Sequence, residues 1–131
     1  MSHAVGTFEV TMKPEPLSEV VATSAVGRMS LSKTFHGQLE ATSVGEFLSV
    51  MGTEKGSAGY VAMEVVAGIL DGLAGSFALQ HRGVMTRGVP ELLVTVVPDS
   101  GTGELVGIRG TMKIDIVERV HYYELDYSLE D

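Results

Sequence analysis

The chain is 131 residues long, 44% hydrophobic and 20% charged, with a formal net charge of −8 at pH 7. So much apolar mass excludes a disordered chain, the length suits one domain over residues 1–131, and an acidic balance without a basic stripe argues against nucleic acid as a partner. There is no cysteine, which removes disulfides, thiolate metal sites and cysteine nucleophiles.

Residues Met1 to Glu9 show no basic start followed by an apolar run, and no segment is long and apolar enough to cross a bilayer. A cytoplasmic protein with no membrane partner is therefore expected. Glycine is the punctuation, with 16 Gly against 4 Pro, and the runs between glycines alternate as β-strands do. A first strand is predicted from His3 to Met12, with Ala4, Phe8, Val10 and Met12 on one face, ended by Pro14-Glu15-Pro16. Leu17 to Ser24 is open to an edge strand, a loop or a helical turn. From Ala25, Met29, Leu31, Lys33 and Phe35 alternate against Ser30, Ser32, Thr34 and His36 up to Gly37. Leu39 to Met51 sets Ala41, Ser43, Gly45, Phe47 and Ser49 against Glu40, Thr42, Val44, Glu46 and Leu48, with Gly45 read as a bulge or bend.

Gly59 to Thr86 organises the chain. Two apolar runs flank Asp71-Gly72, the strongest short-range signal for a hairpin. Helix formers are present, but Val61, Val65, Val66 and Ile69 are β-branched and glycine stands at 59, 68, 72 and 75, which favours strand. A turn centred on Gly72 and Leu73 puts Glu64 opposite His81, Val66 opposite Leu79, and Tyr60 opposite Met85. Tyr60, Glu64, Phe77, His81 and Met85 then share one face. The other face, with Val61, Met63, Val65 and Ile69, is also apolar, so both are expected to be covered. Glu91 to Val97, Glu104 to Val117 and Arg119 to Leu129 follow as strands, separated by the turn cluster Pro98 to Gly103. The last carries His121, Tyr123, Leu125 and Tyr127 on one face. About eight strands with short connections suffice to close an all-β, mostly antiparallel barrel whose lumen can hold one small ligand.

A carboxylate beside an imidazole can set its tautomer and raise its basicity, which makes Glu64 and His81, with Tyr60 near them, the candidate catalytic residues. The plain alternative is a satisfied polar pair inside a barrel. Phe77, Met85, His121 and Tyr123 are the candidate ligand-binding residues. His36, His81, His121 and Glu64 could converge on a metal in a lumen, but no His-x-His or His-x-x-x-His spacing supports it, and no metal or cofactor is expected. Gly101-Thr102-Gly103 lies between strands, so it reads as a turn and not as a phosphate cradle.

Ser30-Leu31-Ser32-Lys33-Thr34-Phe35-His36-Gly37, Gly59-Tyr60-Val61-Ala62-Met63-Glu64, Phe77-Ala78-Leu79-Gln80-His81, Pro98 to Leu105 and His121-Tyr122-Tyr123, in that order, resemble a bacterial family of small proteins of unknown function. The resemblance covers nearly the whole chain. It implies a barrel similar to that of allene oxide cyclase, a plant enzyme that closes a fatty-acid epoxide into a cyclopentenone, and it implies self-association. The cyclase's own catalytic positions have no match here, so the resemblance does not imply its reaction. The expectation is a homo-oligomeric barrel that binds a small apolar molecule. The alternatives are a cofactor-free isomerase or cyclase in which Glu64 and His81 move a proton, and a solid-cored interaction module.

Overall fold

The computed structural model describes residues 1–129. It contains β1 (Ser2–Pro14), β2 (Val26–Gly37), β3 (Leu39–Met51), β4 (Ala58–Leu70), β5 (Leu73–Thr86), β6 (Val89–Val96), a two-residue β7 (Thr102–Gly103), β8 (Ile108–Val117) and β9 (Val120–Leu129). No helix is present among the described residues. Every neighbour pairs antiparallel along β1-β2-β3-β4-β5-β6-β8-β9, and β9 returns to β1, so the eight long strands close into a barrel. The small β7 takes over beside the start of β5, at Gly75 and Ser76. The open reading of Leu17 to Ser24 resolves into a loop of turns, and Glu104 to Gly107, expected as strand, is a turn that buries Leu105.

The strands form because their side chains alternate between a lumen and solvent. Phe8, Phe35, Phe77, Leu79 and Leu125 point inward and are buried, each contributing roughly 1.5–3 kcal/mol by leaving water. The barrel is packed unevenly along its axis. At the end that holds the β4–β5 turn, Leu39, Leu70, Leu105, Ile108 and Tyr127 fill the lumen, and the Tyr127 hydroxyl donates to Asp71 across it. Toward the opposite end the inward positions are Met12, Phe47, Tyr60 and Met85, and the lumen opens.

The hairpin is present, with a register two residues from the expected one. Asp71 and Gly72 are the central turn residues, with φ of 49° and 85°, the doubly positive pattern that Asp-Gly satisfies in a primed turn. Leu70 therefore faces Leu73, Ala62 faces His81, Glu64 faces Leu79 and Tyr60 faces Gly83. A shift of two keeps each side chain on its face, so Glu64 and His81 still both point inward, now as diagonal neighbours. Among the described residues nothing supplies the cover expected on the second face. Val61, Met63, Val65 and Ile69 stand on the outer wall and are 48–55% exposed, because closing a sheet on itself covers only its concave side. Gly45 makes no bulge: it stays in register opposite Glu64, and a Cβ there would lie 2.2 Å from the Met63 carbonyl oxygen.

Candidate functional site: a buried carboxylate beneath an open cavity

Four consecutive strands each supply one polar side chain to the lumen: Lys33 from β2, Ser43 from β3, Glu64 from β4 and His81 from β5. All four are buried, and Glu64 has no exposed surface. Lys33 and Ser43 are direct cross-strand partners, and the shear of the barrel carries Glu64 and His81 to the same level. The Glu64 carboxyl collects the other three. Its Oε1 accepts from His81 Nε2 at 2.7 Å and from Lys33 Nζ at 3.1 Å, and its Oε2 accepts from Ser43 Oγ at 2.6 Å. Gly45 stands directly opposite Glu64, and a Cβ there would lie 2.9 Å from the Glu64 Cα, so the two strands approach closely at this level.

Burial is the largest influence on the Glu64 carboxyl and pushes its pKa up. The His81 hydrogen bond, the Lys33 charge and the Ser43 hydroxyl together outweigh it, so the group lies below the ordinary glutamate value and is a carboxylate at neutral pH. Lys33 is steadied from another side, its ammonium 4.7 Å from the centre of the Phe8 ring and 5.7 Å from that of Phe35. A carboxylate can only accept, so the nitrogen facing it, Nε2, carries the proton, and in neutral His81 Nδ1 carries the lone pair. Among the described residues Nδ1 has no hydrogen-bond partner, and no fully buried side-chain polar atom there goes unpartnered. Nδ1 thus meets the cavity.

That cavity has a volume of about 1440 Å³ and opens to solvent at the end away from the β4–β5 turn. Lys33 and His81 reach it as the polar groups of its floor, and Leu31, Phe47, Tyr60, Ala62, Met85 and Ile114 are among its walls. Glu64 and Ser43 lie beneath the floor. The same volume extends over the outer wall, where outward-facing Val5, Thr7, Lys113, Asp115, Tyr122 and Glu124 line it.

The other sequence-predicted residues divide. Tyr60 lines the cavity, with its ring laid over Gly83 and edge-on to Phe47 at 5.8 Å. No hydrogen bond joins it to Glu64 or His81 among the described residues. Burial, and secondly the Glu64 charge, push its phenol pKa up. Met85 is at the mouth, and His121 lines the wall with its ring against Phe8 at 5.0 Å. Phe77 is not a lining residue: it is sealed in the solid half. Tyr123 presents ring surface to the cavity, but its hydroxyl accepts from Leu39 N at 2.9 Å and donates to the His36 carbonyl at 3.0 Å, so it is a strut of the core. His36 points outward and pairs with Glu9 at 2.9 Å, which takes it out of the convergence considered for a metal. No three His, Asp or Glu side chains among the described residues are placed to hold a metal ion. Lys33 and Ser43 are functional residues that no sequence motif marks. The signal for Lys33 is phase, since it occupies an inward position between Leu31 and Phe35; Ser43, between Ala41 and Gly45, has no comparable signal.

A family model described as a protein of unknown function, DUF3224, matches residues 4–127. The crystal structure of a DUF3224 protein of unknown function from Shewanella oneidensis MR-1 superposes with a TM-score of 0.92 at 50% identity, covering 100% of this chain and 98% of that one. No curated protein matches. The barrel just described is thus shared with the family to which the motifs pointed, and the chain belongs to the DUF3224 family.

Proposed function

We propose that this barrel binds a small, mostly apolar molecule in the open half of its lumen and orients it against His81. The observation that carries the reading is the combination of a solvent-reachable apolar cavity with an imidazole nitrogen that has no partner among the described residues. Ligand sites are of this kind: apolar walls supply affinity and one or two placed polar groups supply orientation. A solid-cored module accounts for the turn end alone. Native mass spectrometry of protein purified from its own host, with and without gentle activation, tests the reading. A retained small molecule, lost from a His81→Phe variant, is expected; wild-type protein that carries nothing and binds no apolar fluorophore would overturn it.

A second reading, a cofactor-free isomerase or cyclase, is favoured by what stands behind His81. An imidazole that takes a proton through Nδ1 becomes a cation whose other N–H already meets a carboxylate, and Lys33 and Ser43 keep that carboxylate ionised. His81 is then the base and Glu64 a positioning residue, with Tyr60 shaping the bound molecule. Glu64→Gln separates the two: affinity for the retained molecule is kept if the protein only binds, and turnover is lost if it catalyses.

The outer wall of β3 and β4 supports self-association. Val44 stands beside Val65, and Leu48 beside Val61, with all four between 47% and 65% exposed. Contiguous apolar surface of this sort marks an interface. Light scattering should give a mass above one chain for the wild type and a monomer for Val65→Glu.

A further inference from the structure

Seven of the eight junctions around the barrel are long ladders, but β6 and β8 meet only at Val94 with Met112 and at Thr95 with Thr111. Beyond that point residues 89–93 and 113–117 have no ladder partner across the junction among the described residues, although β6 stays laddered to β5 and β8 to β9. In an antiparallel strand the backbone groups alternate between the two sides, so about half of those in each segment face the gap. A second observation locates the cavity there. Its lining includes Pro90, Glu91 and Leu92 from β6 and every residue from Lys113 to Val117 of β8. Consecutive residues point to opposite faces of a strand, and outward-facing Val5, Thr7, Tyr122 and Glu124 of the closed β9–β1 wall line the same volume, so the lumen and the outer face of β8, β9 and β1 are joined, and the unpaired β6–β8 edge is the one gap in the described ladders through which they can join.

We infer that this seam is the portal through which an apolar ligand enters the lumen from the side, and that the ligand is an elongated, uncharged molecule whose outer end rests between the two strand edges. The inference builds on the ligand-binding reading above. The free backbone donors and acceptors of the seam suit one hydrogen-bonding group at that end. Among the described residues lining the seam, Glu91 and Asp115 outnumber the cation Lys113, which disfavours an anionic one. The same features argue against a peptide strand as occupant, since Pro90 lacks an N–H and flanking charges are the usual guard of an open edge. The connections at the open end of the barrel are better tied: Gly88 N donates to the Gly56 carbonyl at 2.9 Å, and Arg87 N donates to Ser57 Oγ at 2.9 Å.

The absence of cysteine makes the test clean. Leu92→Cys with Ile114→Cys extends the Val94–Met112 register across the seam, and Val26→Cys with Val50→Cys spans an intact ladder at the same end as a control. The probe is N-phenyl-1-naphthylamine, an uncharged apolar fluorophore, followed by stopped flow. Oxidised seam protein should take up and release it at least about tenfold more slowly than the wild type, the lower end of the range of roughly one to three decades over which association rates vary within one site. Reduction should restore the rate, and the control should not change it. Leu92→Cys carrying a bulky maleimide blocks the gap without requiring a disulfide and should slow exchange likewise. Wild-type rates in the oxidised or the maleimide-blocked protein would overturn the portal and leave the binding reading standing. A wild type that does not bind the probe would overturn both.

Discussion

Replacing Lys33 by Met tests whether the four-residue cluster is organised around an ionised Glu64. Methionine keeps the length and apolar stem of lysine, so little is lost in packing. What disappears is the cation 3.1 Å from a carboxylate that has no exposed surface. Breaking a buried ion pair on one side costs roughly 3–5 kcal/mol, because the remaining charge is left uncompensated. Glu64 keeps its bonds to His81 and Ser43, which places the loss near the lower end, about 3 kcal/mol, or a fall in Tm of about 10 °C for a domain of this size. Urea unfolding of the wild type, Lys33→Met, Glu64→Gln and the double variant measures it. The double variant should recover much of the loss, since no charge is then stranded, with a coupling of at least about 2 kcal/mol. The pH dependence has a definite sign. The Glu64 carboxyl is depressed below its ordinary value of 4.5, so its contribution is complete above that pH and is lost as pH falls through the depressed value. Without Lys33 burial pushes the carboxyl upward, so the gap between wild type and Lys33→Met should narrow on acidification. A Lys33→Met protein within about 0.5 kcal/mol of wild type at pH 7, or a double variant no better than the single, would refute the reasoning.

Gly72→Ala should destabilise by about 1–2 kcal/mol, the cost of a left-handed backbone to a residue with a Cβ. Nothing lies within 4 Å of the added atom, so a larger loss in chemical denaturation would contradict a purely conformational origin. The Tyr127 phenol, buried and hydrogen bonded to Asp71, is pushed up to about 12. Its neutral form stabilises the fold below pH 10 and that stability is lost as pH rises toward 12; ultraviolet titration of Tyr127→Phe should lack the last tyrosine to ionise. Gly83→Ala puts a Cβ 2.2 Å from the Tyr60 ring and should drive that ring into the cavity, weakening fluorophore binding while leaving the barrel folded by circular dichroism.

The barrel was legible because alternation with period two needs no knowledge of what pairs with what. Ala4, Phe8, Leu31, Phe35, Leu125 and Tyr127 all point inward as their phase dictates. The hairpin register depended on which two residues turn the chain. Placing the turn one residue late moved each partner by two, which left Glu64 and His81 on their face and erred only in making them opposite. Lys33 was placed on the right face, between Leu31 and Phe35, and a cation in that phase was itself the sign of a buried counterion. Its meeting with Glu64 lies beyond sequence patterns, because it depends on the shear that brings β2 and β4 to one level. The β6–β8 seam is beyond them too, since each strand alternates normally and only their mutual divergence opens it.

The level at which the carboxylate sits decides what it can do. One inward position closer to the turn stands Val66, sealed in the packed half; a charge there would be walled off from any ligand and could only destabilise. One position the other way stands Ala62, which lines the cavity; a carboxylate there would be hydrated, mobile and weakly bound to an imidazole. At position 64 the packed half supplies the low dielectric that makes three hydrogen bonds to the carboxylate strong, and His81 extends from it across the boundary into the open half. The solid end of the barrel is thus part of the site: it holds the acid in place so that the imidazole nitrogen presented to the cavity has one tautomer and one orientation.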